Sequence, residues 1–141
     1  MMNSNSKELN VDATVDNLPL VQAFLEERLE EMNCSMKAMM QIQVAVEEIY
    51  VNIAHYAYGT ECGKAIVRVE ELKDPAAVAI TFIDRGIPYD PLAKEDPDVT
   101  LSAKERQVGG LGIFMTKKMM DDVSYERKDD QNVLTLKKYL G

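Results

Sequence analysis

The stretch Glu47-Glu48-Ile49-Tyr50-Val51-Asn52-Ile53-Ala54-His55 decides the fold, and it reads as the middle of a helix. Around it, Ile42, Val46, Ile49, Ile53 and Tyr56 recur in steps of four and three, which places them on one continuous helical face suited to packing on a sheet or a second helix. Glu48, Asn52 and His55 are also four and three apart and form a polar stripe beside that face. A carboxylate and a carboxamide one turn apart, bordered by apolar residues, can serve a bound ligand. They can equally be the ordinary polar edge of an amphipathic helix, and the stretch alone does not choose between these.

The 141 residues suit one domain that buries roughly two-thirds of its unfolded surface. Hydrophobic content of 46% and charged content of 28% are those of a soluble globular protein. No apolar run approaches the roughly 20 residues that span a bilayer. Residues 1–10 lack the basic-then-apolar order of a secretory leader, so a cytoplasmic location with no membrane partner is expected. Cys34 and Cys62 have no metal-ligand spacing and are expected to be free thiols. A net charge of −8 argues against direct binding to nucleic-acid backbones. It leaves room for a nucleotide, whose phosphates can be held by backbone N–H groups, a helix dipole and a metal ion.

Along the chain, residues 1–7 are polar and expected to be disordered. Leu9, Val11 and Ala13 alternate with polar residues and predict a strand over 8–15. Asp16-Asn17 followed by Pro19 predicts the start of a helix over 18–32 that buries Leu18, Val21, Leu25 and Leu29. Ser35 is placed to cap the second helix, which runs to about residue 58 before Gly59, and Met36, Met39 and Met40 are expected as flexible core filler. Strands are predicted over 65–71 and 76–83, the second almost wholly apolar and therefore central. The irregular segment 92–108, with Pro97 and a possible cap at Ser102, has the length of a functional lid. A helix over 113–120 and strands over 123–127 and 133–139 complete the order, with residues 129–132 as a hairpin loop. Short turns between consecutive strands imply an α+β fold, a two-layer sandwich whose mixed, mainly antiparallel sheet is covered on one face by helices.

Two further motifs carry chemistry. Asp84-Arg85-Gly86 ends the most apolar strand, where a carboxylate must be hydrogen-bonded to be tolerated and can accept from an exocyclic amine. Gly86 would let a flat ring approach the backbone. Gly109-Gly110-Leu111-Gly112 precedes a helix, so its backbone and the helix N-terminus can face an anion. Each motif has a plain alternative, a tight turn for the first and a flexible hinge for the second.

Taken in order, Glu48-x-x-x-Asn52, Asp84-x-Gly86 and Gly110-x-Gly112 resemble the GHKL ATPase superfamily of histidine-kinase catalytic domains and gyrase B. Within it the chain looks most like the bacterial anti-sigma-factor serine/threonine kinases. The resemblance runs through the 47–58 helix, Ile83-Asp84-Arg85-Gly86-Ile87-Pro88-Tyr89-Asp90-Pro91, and Gly109 through Val123 with its acidic pair Asp121-Asp122. It implies the Bergerat-type ATP-binding fold, with ATP and Mg²⁺ as cofactors. It also implies roles for individual residues. Asn52 would ligate Mg²⁺ and Glu48 would act as general base. Asp84 would read adenine with Gly86 beside it, and Gly109, Gly110, Leu111 and Gly112 would contact phosphate at the lid hinge. The implied activity is phosphorylation of a small serine-bearing anti-sigma-factor antagonist, with a sigma factor as a second partner and a homodimer as the possible assembly. A non-catalytic, ATP-gated protein-binding module is the alternative. The chain departs from the family in two places. Gln131-Asn132-Val133 stands where relatives carry Gly-Thr, and Gln22 stands near the place of an early arginine that those kinases use with partners.

Overall fold

A computed structural model describes residues 6–58, 63–73, 75–88 and 110–140, and for residues 110–114 the backbone alone. The elements run β1 (Ser6–Asp12), a 3-10 turn (Val15–Asn17), α1 (Leu18–Glu31), α2 (Met36–Tyr56), β2 (Lys64–Leu72), β3 (Ala77–Asp84), α3 (Gly110–Met119), β4 (Asp122–Lys128) and β5 (Gln131–Tyr139). The 92–108 lid, the capping pattern at Ser102, Gly59, Cys62 and Gly109 lie outside the described residues.

α2 forms where its apolar spacing predicts. The Ser35 side chain accepts from the Ala38 N–H at 3.1 Å and satisfies one of the orphan donors of the first turn. Ile42, Val46 and Ile49 are fully or almost fully buried. Tyr50, beside that seam, is also fully buried. Its hydroxyl donates to the Thr14 carbonyl at 2.7 Å, with the Asp12 carbonyl at 3.1 Å, and so ties the β1–α1 connection to the helix. The methionines divide: Met39 packs against the core, whereas Met36 is 78% and Met40 67% exposed. The expectation of core filler fails for these two because, with Val44, they lie four apart on the face turned away from the sheet. α1 buries Val21, Leu25 and Leu29 as expected.

The sheet has five strands in the order β1-β2-β3-β5-β4, and all four ladders are antiparallel. This is the α+β layer arrangement expected from the short turns, but the sheet is antiparallel in every described ladder rather than mixed, because β5 returns beside β3 from β4 by a hairpin. β1 begins at Ser6, inside the tail expected to be disordered, because Ser6 and Lys7 pair with Glu70 and Val69. Alternate residues face the helices: Ala65, Val67 and Val69 from β2, Val78, Ile80 and Phe82 from β3, Leu134 and Leu136 from β5. The register carries one row of helix-facing residues across the whole sheet, Val11–Ala65–Asp84–Asn132–Arg127. That row lies at the end of β3 and begins the candidate site.

Asp129 and Asp130 both have positive φ, 54° and 60°. They make the two-residue turn whose twist matches a β-hairpin. β5 therefore starts at Gln131, and Asn132 sits in the strand rather than in a loop.

Candidate functional site

A pocket lies between α2 and the sheet. Its apolar walls include Ile49 and Ile53 from α2, Phe82 from β3 and Leu134 from β5. Its polar wall is made by Asn52, Asp84, Tyr125 and Asn132, with Ile87 at the exit of β3. A slot of this kind, apolar on its faces with few polar groups at one side, suits a flat ring whose edge must be oriented.

Asp84 is 5% exposed. Its Oδ1 accepts from the Gly86 N–H at 2.9 Å, closing a side-chain-to-backbone turn. The same oxygen accepts from Asn132 Nδ2, also at 2.9 Å. Neither bond falls on Oδ2. The turn is stapled to the end of α2: Ile87 N–H donates to the Ala57 carbonyl at 2.8 Å, and Arg85 N–H donates to the Tyr58 hydroxyl at 2.8 Å. Tyr58 in turn donates to the Lys64 carbonyl at the start of β2. From the edge strand β4, Arg127 donates to the Gly86 carbonyl at 2.8 Å.

Gly86 has a tight neighbour of its own. A Cβ at this position would lie well inside van der Waals contact of the Ala57 carbonyl oxygen and carbon. The absent side chain thus lets the turn sit against the α2 backbone, a role that the close approach of a ring does not require. Gly86→Ala is expected to lower the unfolding free energy by about 1–3 kcal/mol through this overlap. A denaturant melt checks it, and an unchanged midpoint would mean that the Ala57 backbone yields.

On α2, Asn52 lines the pocket and Glu48 lies one turn before it, half-buried. The Glu48 carboxyl is held above the usual carboxylate range. Burial is the main cause, a hydrogen bond from Asn52 pulls it partly back, and the charge of Glu47 adds a further push upward. The Asn52 side chain also carries a carbonyl oxygen. That oxygen is a suitable ligand for a hard cation, which here would complete its shell with phosphate oxygens and water. No group of three or more His, Cys, Asp or Glu side chains able to cage a metal by themselves occurs among the described residues.

Gly110, Leu111 and Gly112 form the first residues of α3, which starts three residues earlier than the apolar pattern predicts. Their N–H groups belong to the helix turn that has no intrahelical acceptors. His55 is exposed, with its ring 6.0 Å from that of Tyr56, and takes no part in the pocket. Tyr125 and Asn132 also line the pocket. The sequence reading places Tyr125 only within a strand over 123–127, and places Asn132 in a hairpin loop and in the stretch that departs from the family's Gly-Thr. The pair of aspartates as a two-residue hairpin turn was the available signal.

A family model for the histidine kinase-like ATPase domain matches residues 11–138. The chain belongs to the histidine kinase-like ATPase family. Among its relatives, the serine/threonine-protein kinase BtrW of Bordetella bronchiseptica is 25% identical over 135 residues, covering 96% of this chain and 94% of the relative. The anti-sigma F factor of Pasteuria penetrans is 24% identical over 123 residues, covering 86% of this chain and 81% of the relative. The solved structure of the RsbU and RsbW domains of a Mycobacterium tuberculosis protein superposes with a TM-score of 0.66 at 21% identity. It covers 95% of this chain, which spans 32% of that solved chain. The pocket thus occupies a fold of ATPases. Among the described residues no helix is long and apolar enough to cross a membrane.

Proposed function

We propose that this ATPase-family chain is an anti-sigma-type serine/threonine protein kinase. It binds Mg²⁺-ATP in the pocket between α2 and the sheet, and it phosphorylates a serine of a small anti-sigma-factor antagonist in the cytoplasm. A sigma factor is the partner held or released by that switch. The observation that carries the reading is the convergence on one apolar slot of a buried acceptor, Asp84, and an amide, Asn52. Asp84 accepts the exocyclic amine of adenine, and the apolar walls sandwich the ring. Gly110, Leu111 and Gly112, with Gly109 before them, supply N–H groups to phosphate oxygens at the start of α3.

Glu48 supports the enzyme over a pure nucleotide-gated binder. A half-buried carboxylate with a raised proton affinity, one turn from the amide that would hold the metal, is what a general base needs. Glu48 takes the proton from the partner's serine hydroxyl. The serine oxygen forms a bond to the γ-phosphorus, the bond from that phosphorus to the β,γ-bridging oxygen breaks, and ADP leaves with the electron pair. Bound Mg²⁺ would neutralise charge on the β,γ-bridging region. The partner contributes the nucleophile.

Calorimetric titration of the chain with nucleotide tests the binding half. Asn52→Ala is expected to weaken ATP in the presence of Mg²⁺ by about tenfold or more, and metal-free ADP by much less. Equal losses with and without Mg²⁺ would sink the metal role of Asn52.

A further inference from the structure

Asn132 joins three elements of the pocket wall through its side-chain amide. It stands directly opposite Asp84 in the β3–β5 ladder and is 6% exposed. Its Nδ2 donates to Asp84 Oδ1 at 2.9 Å and to the Ile87 carbonyl at 2.8 Å, which engages both amide hydrogens. Its Oδ1 accepts from the Tyr125 hydroxyl at 2.5 Å. These three bonds fix the amide's orientation. A flipped amide would set its oxygen against both the Asp84 carboxylate and the Ile87 carbonyl, and would leave the Tyr125 hydroxyl facing a donor.

The consequence falls on Asp84. With Gly86 N–H and Asn132 Nδ2 both on Oδ1, rotation of the carboxylate would break two buried hydrogen bonds. Oδ2 is the oxygen left to meet a ligand, and it can only accept while the group is ionised. Asn132 itself has both amide hydrogens and its oxygen engaged. This corner of the pocket therefore presents a purine with an acceptor and no donor. An exocyclic amine fits there. A keto oxygen at the same ring position meets the carboxylate's lone pairs.

We infer that Asn132, held by Tyr125, is a positioning residue that locks Asp84 as an acceptor and thereby sets the preference for an amino-purine over an oxo-purine nucleotide. This rests on the nucleotide reading above. The test is the affinity of the full chain, with Mg²⁺, for ATP and for inosine triphosphate, which differ at the exocyclic group of the ring. Wild type is expected to prefer ATP by about 10- to 100-fold. In Asn132→Leu, of similar size and without hydrogen bonds, that preference is expected to shrink to within about threefold, chiefly by loss of ATP affinity. Tyr125→Phe keeps the ring and removes only the hydroxyl, and its preference is expected to fall part of the way.

A preference left intact in Asn132→Leu, with both affinities unchanged or lowered by the same factor, would overturn the inference and leave Asn132 a purely structural residue. If Asn132→Leu does not fold, Tyr125→Phe decides: an unaltered ATP-to-ITP ratio overturns the inference. Wild type binding the two nucleotides equally also overturns it while leaving the nucleotide site standing. Wild type binding neither defeats the nucleotide reading itself.

Discussion

Glu48→Gln is expected to lower phosphoryl transfer to a serine-bearing partner by about 10²–10⁴-fold, the range over which a positioned general base contributes. Nucleotide affinity is expected to stay within a few-fold, because the substitution is close to isosteric and Asn52 keeps its place on the pocket wall. Stability moves the other way. The folded chain holds the Glu48 proton more tightly than the unfolded chain does, because burial raises the carboxyl. Ionising it therefore costs stability, a cost absent below the ordinary carboxylate range and complete above the raised one. Glutamine removes that cost, so at pH 7–8 the variant is expected to melt at or slightly above the wild-type temperature. The gain should fade as pH falls through the raised carboxyl range and be gone below about 4.3, where the glutamate is protonated in both states. Melting curves across pH and initial rates at pH 7.5 check both halves. A variant that loses activity and stability together would make Glu48 a structural residue. The raised carboxyl also shifts the acidic limb of the rate profile above the usual carboxylate range, since the base must be ionised to act.

Asp84→Asn is expected to cost about 1.5–3 kcal/mol of ATP binding, the worth of a charge-assisted hydrogen bond, or roughly 10- to 150-fold in affinity. The substitution is close to isosteric, and the new carbonyl oxygen can still accept from Gly86 N–H and Asn132 Nδ2. The turn at the end of β3 should therefore survive, with Ile87 and Arg85 still tied to Ala57 and Tyr58. With the amide so oriented, its N–H₂ occupies the place of Oδ2 and confronts the amine of adenine donor to donor. Calorimetry against ATP, beside a thermal melt, separates the two effects. Unchanged ATP affinity would remove Asp84 from the nucleotide site.

Much of the architecture was legible because α2 repeats its apolar residues without interruption and β3 is apolar almost throughout. Both patterns name an element and its buried side before any long-range contact is known. Asp84 was legible for a related reason: a carboxylate that ends such a strand must have partners, and it has two. The identity of those partners was not legible. Asn132 reaches Asp84 only through the β3–β5 register, which depends on a two-residue turn at Asp129-Asp130. Aspartate tolerates the left-handed backbone less readily than glycine, so the sequence left the loop length open. Tyr125 and Arg127 come from β4, and only the strand order places that edge beside the pocket. Beside the expected room for a ligand at Gly86, the structure adds a tight neighbour that the sequence does not reveal, the backbone of Ala57 some thirty residues earlier. The exposed Met36 and Met40 show the limit of composition: methionine fills cores and covers surfaces alike, and only the orientation of α2 distinguishes the two.

The proposed activity is tested most directly by incubating the chain with γ-labelled ATP, Mg²⁺ and a small serine-bearing anti-sigma-factor antagonist, and following the label. Transfer to one serine of the antagonist is expected, lost when that serine is alanine and nearly lost with Glu48→Gln. ATP bound tightly with no label reaching any antagonist would contradict the kinase and leave a nucleotide-gated binding protein in its place.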